Sequence, residues 1–219
     1  MKAFFISYFR RRAQPALRWA AGLAVLLSCL GAHPLYGGSA PVILALGDSL
    51  TAGFGVAEKE SYPARLQAIL QQHGQPYRVV NAGVSGDTTA GGLRRIDWLL
   101  RLNPAIVILE LGANDGLRGL PPAEMFSNLE KIIRRCRDHK ARVLLAGMKI
   151  PPNYGEAYTR AFEETFRRLA EKYRLHYIPF FLEGVAANRE LTQADGLHPV
   201  GAGYKIVAET VWTYLQPML

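Results

Sequence analysis

Five short apolar runs, separated by stretches of helical period, constrain this chain more than any other feature. They cover residues 42–46, 77–82, 105–111, 143–148 and 176–179. Each is nearly continuous rather than alternating, which suits a strand buried on both faces of a parallel sheet. The stretches between them predict helices. Ser61 is placed to cap one that runs to His73, with Gly74 as its stop. Leu93, Ile96 and Leu100 stripe the next. Residues 122–139 carry Phe126, Leu129, Ile133 and Cys136, and residues 156–173 carry Tyr158, Phe162, Phe166 and Leu169. A last helix covers about residues 201–215. Such alternation predicts a three-layer α/β/α sandwich around a parallel sheet, with right-handed crossovers.

Residues 1–40 stand apart from this pattern. A basic region ends near Arg18, and the apolar run "WAAGLAVLLSCLGA" follows from Trp19. Small and Gly-rich residues then lead into Pro41. These are the parts of an export signal with a short linker. The run falls short of the roughly 20 apolar residues that span a membrane. Pro41 disfavours a cut directly after Ala40, and the cleavage point stays open. Cys29 stands where a bacterial lipoprotein carries its lipidated cysteine, although Leu27 ahead of Ser28 fits that pattern poorly. The expectation is an exported, periplasmic protein whose domain covers residues 41–219. Membrane contact would come only through the leader or an anchor at Cys29.

Charge and cysteine usage narrow the classes further. The formal net charge is +8, but Lys2, Arg10, Arg11, Arg12 and Arg18 supply five of the 26 basic residues in a leader without Asp or Glu. That leaves 21 basic against 18 acidic residues, a solvated surface rather than a nucleic-acid footprint. With Cys29 removed or lipidated, Cys136 has no intramolecular partner, and the domain is held by its core. Cys136 falls in helical phase with Leu129 and Ile132 or Ile133, as a core residue does. The sequence does not set an oligomeric state.

In open α/β sheets, ligands bind beyond the carboxyl ends of the strands. Those ends read Gly47-Asp48-Ser49, then "NAGVSGD" (81–87), "GAND" (112–115) and "KIPPNYG" (149–155), with "ADGLHP" (194–199) ahead of the last helix. Small and polar residues thus gather on one rim. A serine hydroxyl is a weak nucleophile until a base takes its proton, and the usual base is histidine. His73 and His139 end helices, His176 opens a strand, and His33 lies in the leader. His198 differs, because Asp195 lies three residues before it in a turn marked by Gly196 and Pro199. A carboxylate there can orient the imidazole and stabilise its charged form. Acyl transfer also needs donors for an oxyanion. The Ser49 N–H and the Gly86 N–H are candidates, and Asn114 offers a side-chain amide, although Asn-Asp-Gly is also ordinary turn chemistry.

Gly47-Asp48-Ser49-Leu50, Gly86 in its loop, Gly112-x-Asn114-Asp115 and Asp195-x-x-His198 occur in this order. They resemble the four blocks of the GDSL, or SGNH, hydrolases. "VVNAGVSGDTTAGGL", "ELGANDGLRGLPP" and "PPNYGEAY" are similar to the bacterial thioesterase I / lysophospholipase L1 / arylesterase subgroup. The resemblance covers Pro41 to the C-terminus. It implies a flavodoxin-like fold and a serine esterase with Ser49 as nucleophile, His198 as base and Asp195 as its orienting partner. It also implies an oxyanion hole of Ser49, Gly86 and Asn114. Asp48 and Asp115 then read as loop-setting residues. The substrates implied are small-molecule acyl esters or thioesters, with no cofactor and no metal.

Residues 116–121 resemble a mobile substrate-contacting loop of that subgroup, so Leu117 and Leu120 are expected to close over an acyl chain. Ile150 and Tyr154 are expected to form another wall. Three rival readings have weaker support. A nucleotide-binding module would carry a phosphate loop, and neither G-x-x-x-x-G-K-[ST] nor G-x-G-x-x-G follows a strand here. A metallohydrolase needs ligand-spaced His, Asp and Glu clusters, which the sequence does not offer. A carbohydrate acetylesterase or a peptidase would use the same site on a different substrate.

Overall fold

The computed structural model describes Ala40–Leu219. The leader, with His33 and Cys29, lies outside the described residues. Five strands form one parallel sheet: β1 (Val42–Gly47), β2 (Arg78–Gly83), β3 (Pro104–Glu110), β4 (Arg142–Ala146) and β5 (His176–Ile178). Their order is β2-β1-β3-β4-β5. This is the flavodoxin-like order, in which the chain reverses direction between β1 and β3 and opens a crevice at their carboxyl ends.

The helices are α1 (Ser49–Ala52), α2 (Tyr62–Gln72), α3 (Thr89–Leu99), α4 (Ala113–Leu117), α5 (Pro122–Asp138), α6 (Glu156–Tyr173) and α7 (Gly201–Leu215). α2 packs against α7, while α5 packs against both α3 and α6. All of β1 is buried, and so are Ile106 to Glu110 of β3, because helices cover the sheet there. Cys136 is wholly buried on α5. Among the described residues, no helix is long and apolar enough to cross a membrane.

Three expectations change. β2 and β5 are not buried on both faces: all of β2 and two of the three residues of β5 are exposed or half-buried, since an edge strand has a neighbour on one side only. Ser61 stands at the N-cap of α2, but its hydroxyl donates to the Glu58 carbonyl at 2.7 Å and makes no capping bond. The Gly47-Asp48-Ser49 and Gly112-Asn114 blocks, expected as loops, each lead into a single helical turn, α1 and α4.

One side chain ties the functional rim together. Arg95 of α3 donates through Nε to Asp87 Oδ2 at 2.8 Å, through Nη1 to the Ala82 carbonyl at 2.6 Å and through Nη2 to the Gly47 carbonyl at 2.8 Å. It therefore joins the ends of β1 and β2 to the loop carrying Gly86. The ion pair is largely buried, so Arg95→Ala strands the Asp87 carboxylate and two carbonyls. The expected loss is about 3 kcal/mol, read as a lower urea midpoint. Arg95→Lys restores only part of it, because an ammonium cannot fork to three acceptors in this geometry.

Candidate active site

Ser49 sits where β1 gives way to α1. Asp48 is the N-cap of that turn: its Oδ1 accepts the Leu50 N–H at 3.0 Å, and its Oδ2 accepts from Asn114 Nδ2 at 3.0 Å. Burial pushes the Asp48 carboxyl up to about 6, against the lowering effect of those two donors. Gly47 has to be glycine, because a Cβ there would run into Thr51 and would lie 2.6 Å from Glu110 Oε2. The turn leaves Ser49 half-buried with its hydroxyl towards His198.

His198 lies in a closed loop before α7. Thr192 and Pro199 form an antiparallel bridge, and the Gln193 N–H donates to the His198 carbonyl at 2.7 Å. Within the loop, Asp195 Oδ1 accepts the Leu197 and His198 N–H groups at 2.9 and 3.0 Å. Asp195 Oδ2 lies 2.6 Å from His198 Nδ1, and His198 Nε2 lies 2.9 Å from Ser49 Oγ. Partial burial raises the Asp195 carboxyl, but the two backbone donors and the His198 ring outweigh it and hold it at about 2. Its charge is therefore in place at neutral pH. The Phe54 ring covers His198 with centroids 4.7 Å apart.

The remaining blocks meet the serine from the neighbouring strands. Gly86 adopts φ +78°, a left-handed conformation that favours glycine. Arg118 Nη2 donates to the Gly86 carbonyl at 2.9 Å. Among the described residues, neither the Ser49 N–H nor the Gly86 N–H has a backbone or side-chain acceptor. The Asn114 amide is occupied: Nδ2 donates to Asp48 Oδ2 and to the Asp87 carbonyl, both at 3.0 Å. Asp115 anchors the start of α3, accepting the Thr89 N–H at 2.8 Å and its hydroxyl at 2.6 Å.

A cavity of about 280 Å³ opens beside Ser49, Gly86, Asn114 and His198, and it is mostly apolar. Leu117 and Ile150 line it together with Phe54, Met148, Leu182 and Leu197. Leu120 and Tyr154 do not line it. The Tyr154 hydroxyl instead donates to the Leu117 carbonyl at 2.8 Å. Leu120 is exposed, and its carbonyl accepts from Tyr158 at 2.7 Å. Tyr154 and Tyr158 therefore hold the 116–121 loop in place, and neither Leu120 nor Tyr154 walls the cavity. Of the other histidines, His73 stacks on Trp212 with centroids 4.6 Å apart and does not line the cavity.

The sequence reading passes over Glu110, which lies beneath the serine turn. It is 1% exposed, and its Oε2 accepts from the Thr51 hydroxyl at 2.8 Å and from the Asp48 N–H at 3.4 Å. Burial, and next the Asp48 carboxylate, push its carboxyl well up. A charged residue inside the apolar run 105–111 is the signal that marks it.

Comparison with known proteins agrees with this geometry. The model of the GDSL-like Lipase/Acylhydrolase family matches residues 45–206. Esterase TesA of Pseudomonas aeruginosa is 44% identical over 182 residues, covering 83% of this chain and 90% of the relative. Thioesterase 1/protease 1/lysophospholipase L1 of Escherichia coli (strain K12) is 36% identical over 182 residues, covering 83% and 86%. A crystal structure of TesA superposes with a TM-score of 0.79 at 44% identity, covering 81% of this chain and 99% of that one. A parallel sheet in flavodoxin-like order, a serine at the end of β1 and a family match over most of the described chain lead to one assignment: the chain belongs to the GDSL-like lipase/acylhydrolase family and is a carboxylic-ester hydrolase.

Proposed function

We propose that this protein hydrolyses acyl esters and thioesters through a Ser49-His198-Asp195 triad and an acyl-enzyme intermediate. The observation that carries the reading is the unbroken chain from Ser49 Oγ to His198 Nε2 and from Nδ1 to Asp195, beside an apolar cavity. His198 takes the Ser49 proton as Oγ attacks the acyl carbonyl, and Asp195 stabilises the imidazolium. The oxyanion is met by the Ser49 and Gly86 N–H groups. Asn114 joins them by turning one N–H from the Asp87 carbonyl towards it. His198 then protonates the leaving alkoxide or thiolate. A water activated by the same ring releases the acid.

Leu117 and Ile150 belong to the acyl site, with Phe54, Met148, Leu182 and Leu197. The substrate class is supported by the relatives' being an esterase and a thioesterase/lysophospholipase, and by the cavity's apolar walls. Residues 41–219 form the hydrolase domain. The leader's basic and apolar parts support export.

Hydrolysis of p-nitrophenyl esters of increasing acyl length tests the reading. Each methylene that enters the cavity is worth about 0.8 kcal/mol, so kcat/KM rises up to about fourfold per carbon until the cavity is full. Activity confined to acetyl would contradict the acyl site and move the substrate to small acyl groups, such as those on sugars. Asn114→Ala is expected to lower kcat by about a hundredfold or more with little change in KM, as loss of an oxyanion donor does. A variant with lowered stability but unchanged kcat would leave Asn114 only its bonds to Asp48 and Asp87.

A further inference from the structure

Glu110 has no part in the proton transfers above, yet it is an almost wholly buried acid close to the serine. It pairs across the sheet with Gly47, which puts its carboxyl directly behind the serine turn. One oxygen, Oε2, meets the Thr51 hydroxyl and the Asp48 N–H. The other, Oε1, is buried and has no hydrogen-bond partner. The titratable groups facing it are Asp48 from the turn, Tyr62 of α2 and Tyr204 of α7. None of them is a cation. The guanidinium of Arg95 is engaged by Asp87 and the carbonyls of Ala82 and Gly47.

An ionised carboxylate so placed would have one oxygen unsolvated, no counter-charge and a second acid alongside, so its neutral form is favoured. Asp48 is the opposite case. Both of its oxygens accept from N–H donors, as a carboxylate does. The pair therefore carries one negative charge, on Asp48.

We propose that Glu110 is a neutral positioning residue that holds the Asp48 N–H ahead of Ser49 and the Thr51 hydroxyl behind it, and so aims the Ser49 Oγ at His198. The proposal rests on Ser49 being the nucleophile. Glu110 holds residue 48 ahead of the serine and residue 51 behind it, and the Tyr62 hydroxyl braces Thr51 at 3.4 Å. Neutrality matters because a second full charge behind the serine would oppose the negative charge that develops on the substrate oxygen.

The test compares Glu110→Gln, Glu110→Ala and Thr51→Val in the full chain, with Ser49→Ala beside them. The readouts are kcat, KM, the pH–rate profile and the rate at which a phosphonate labels Ser49. Glu110→Ala should lower kcat tenfold to a hundredfold, the scale expected of a misplaced reacting group, with KM nearly unchanged and labelling slowed in parallel. Thr51→Val should act in the same direction. Glu110→Gln, neutral and of the same shape, should rescue kcat to within about threefold with an unshifted pH profile. A Gln variant as impaired as the Ala variant would show that the charge is needed and overturn the proposal. So would a folded Ala variant with normal kcat. Should Glu110→Ala fail to fold, normal kcat in Thr51→Val overturns it instead. Failure of the underlying reading looks different: Ser49→Ala itself would keep turning over.

Discussion

Replacing Ser49 with alanine is expected to lower kcat by about a millionfold while leaving the fold untouched. The side chain is small and half-buried, and the hydroxyl's recorded partner is His198 Nε2 at 2.9 Å. The bonds that shape the turn belong to other groups: Asp48 Oδ1 with the Leu50 N–H, and the Ala52 N–H with the Asp48 carbonyl at 2.9 Å. Removing one hydroxyl thus takes away the proposed nucleophile without releasing the turn. The urea midpoint should match the wild type, and p-nitrophenyl ester hydrolysis should fall to the level left by the oxyanion donors and substrate binding. Activity above about one per cent of wild type would remove Ser49 from the nucleophile's role.

His198→Ala is expected to lose nearly as much, and the Ser49→Ala/His198→Ala double variant no more than either alone, because the two groups act as one unit. His198 is fixed from both sides: Asp195 Oδ2 holds Nδ1 at 2.6 Å, and the Phe54 ring lies over it. The expected loss is therefore chemical rather than a collapse of the loop, which the Thr192–Pro199 bridge and the Gln193 N–H close independently. Comparing kcat/KM of the single and double variants checks this. Losses that multiply would mean that serine and histidine act separately.

What the sequence disclosed and concealed follows from distance along the chain. Asp195 and His198 are legible because three residues of turn bring them together. β1 and β3 are legible because strands covered on both faces read as unbroken apolar runs. Ser49, Gly86 and Asn114 are legible as a set because strand ends in a parallel sheet share one rim. The exposure of β2 is not legible, since edge position belongs to strand order and not to composition. The resemblance puts Leu120 and Tyr154 in the cavity wall. Hydroxyl-to-carbonyl bonds from Tyr154 and Tyr158 across 37 and 38 residues decide otherwise. Arg95 and Glu110 act on groups 48 and 62 residues away, and no local pattern announces such partners.

The most direct measurement is intact-mass and peptide mapping of the protein after inactivation by a fluorophosphonate. A nucleophilic Ser49, activated by His198, predicts one adduct per chain, on the peptide containing Ser49, formed in step with the loss of esterase activity. An adduct on another side chain, or inactivation without an adduct at Ser49, would contradict the mechanism.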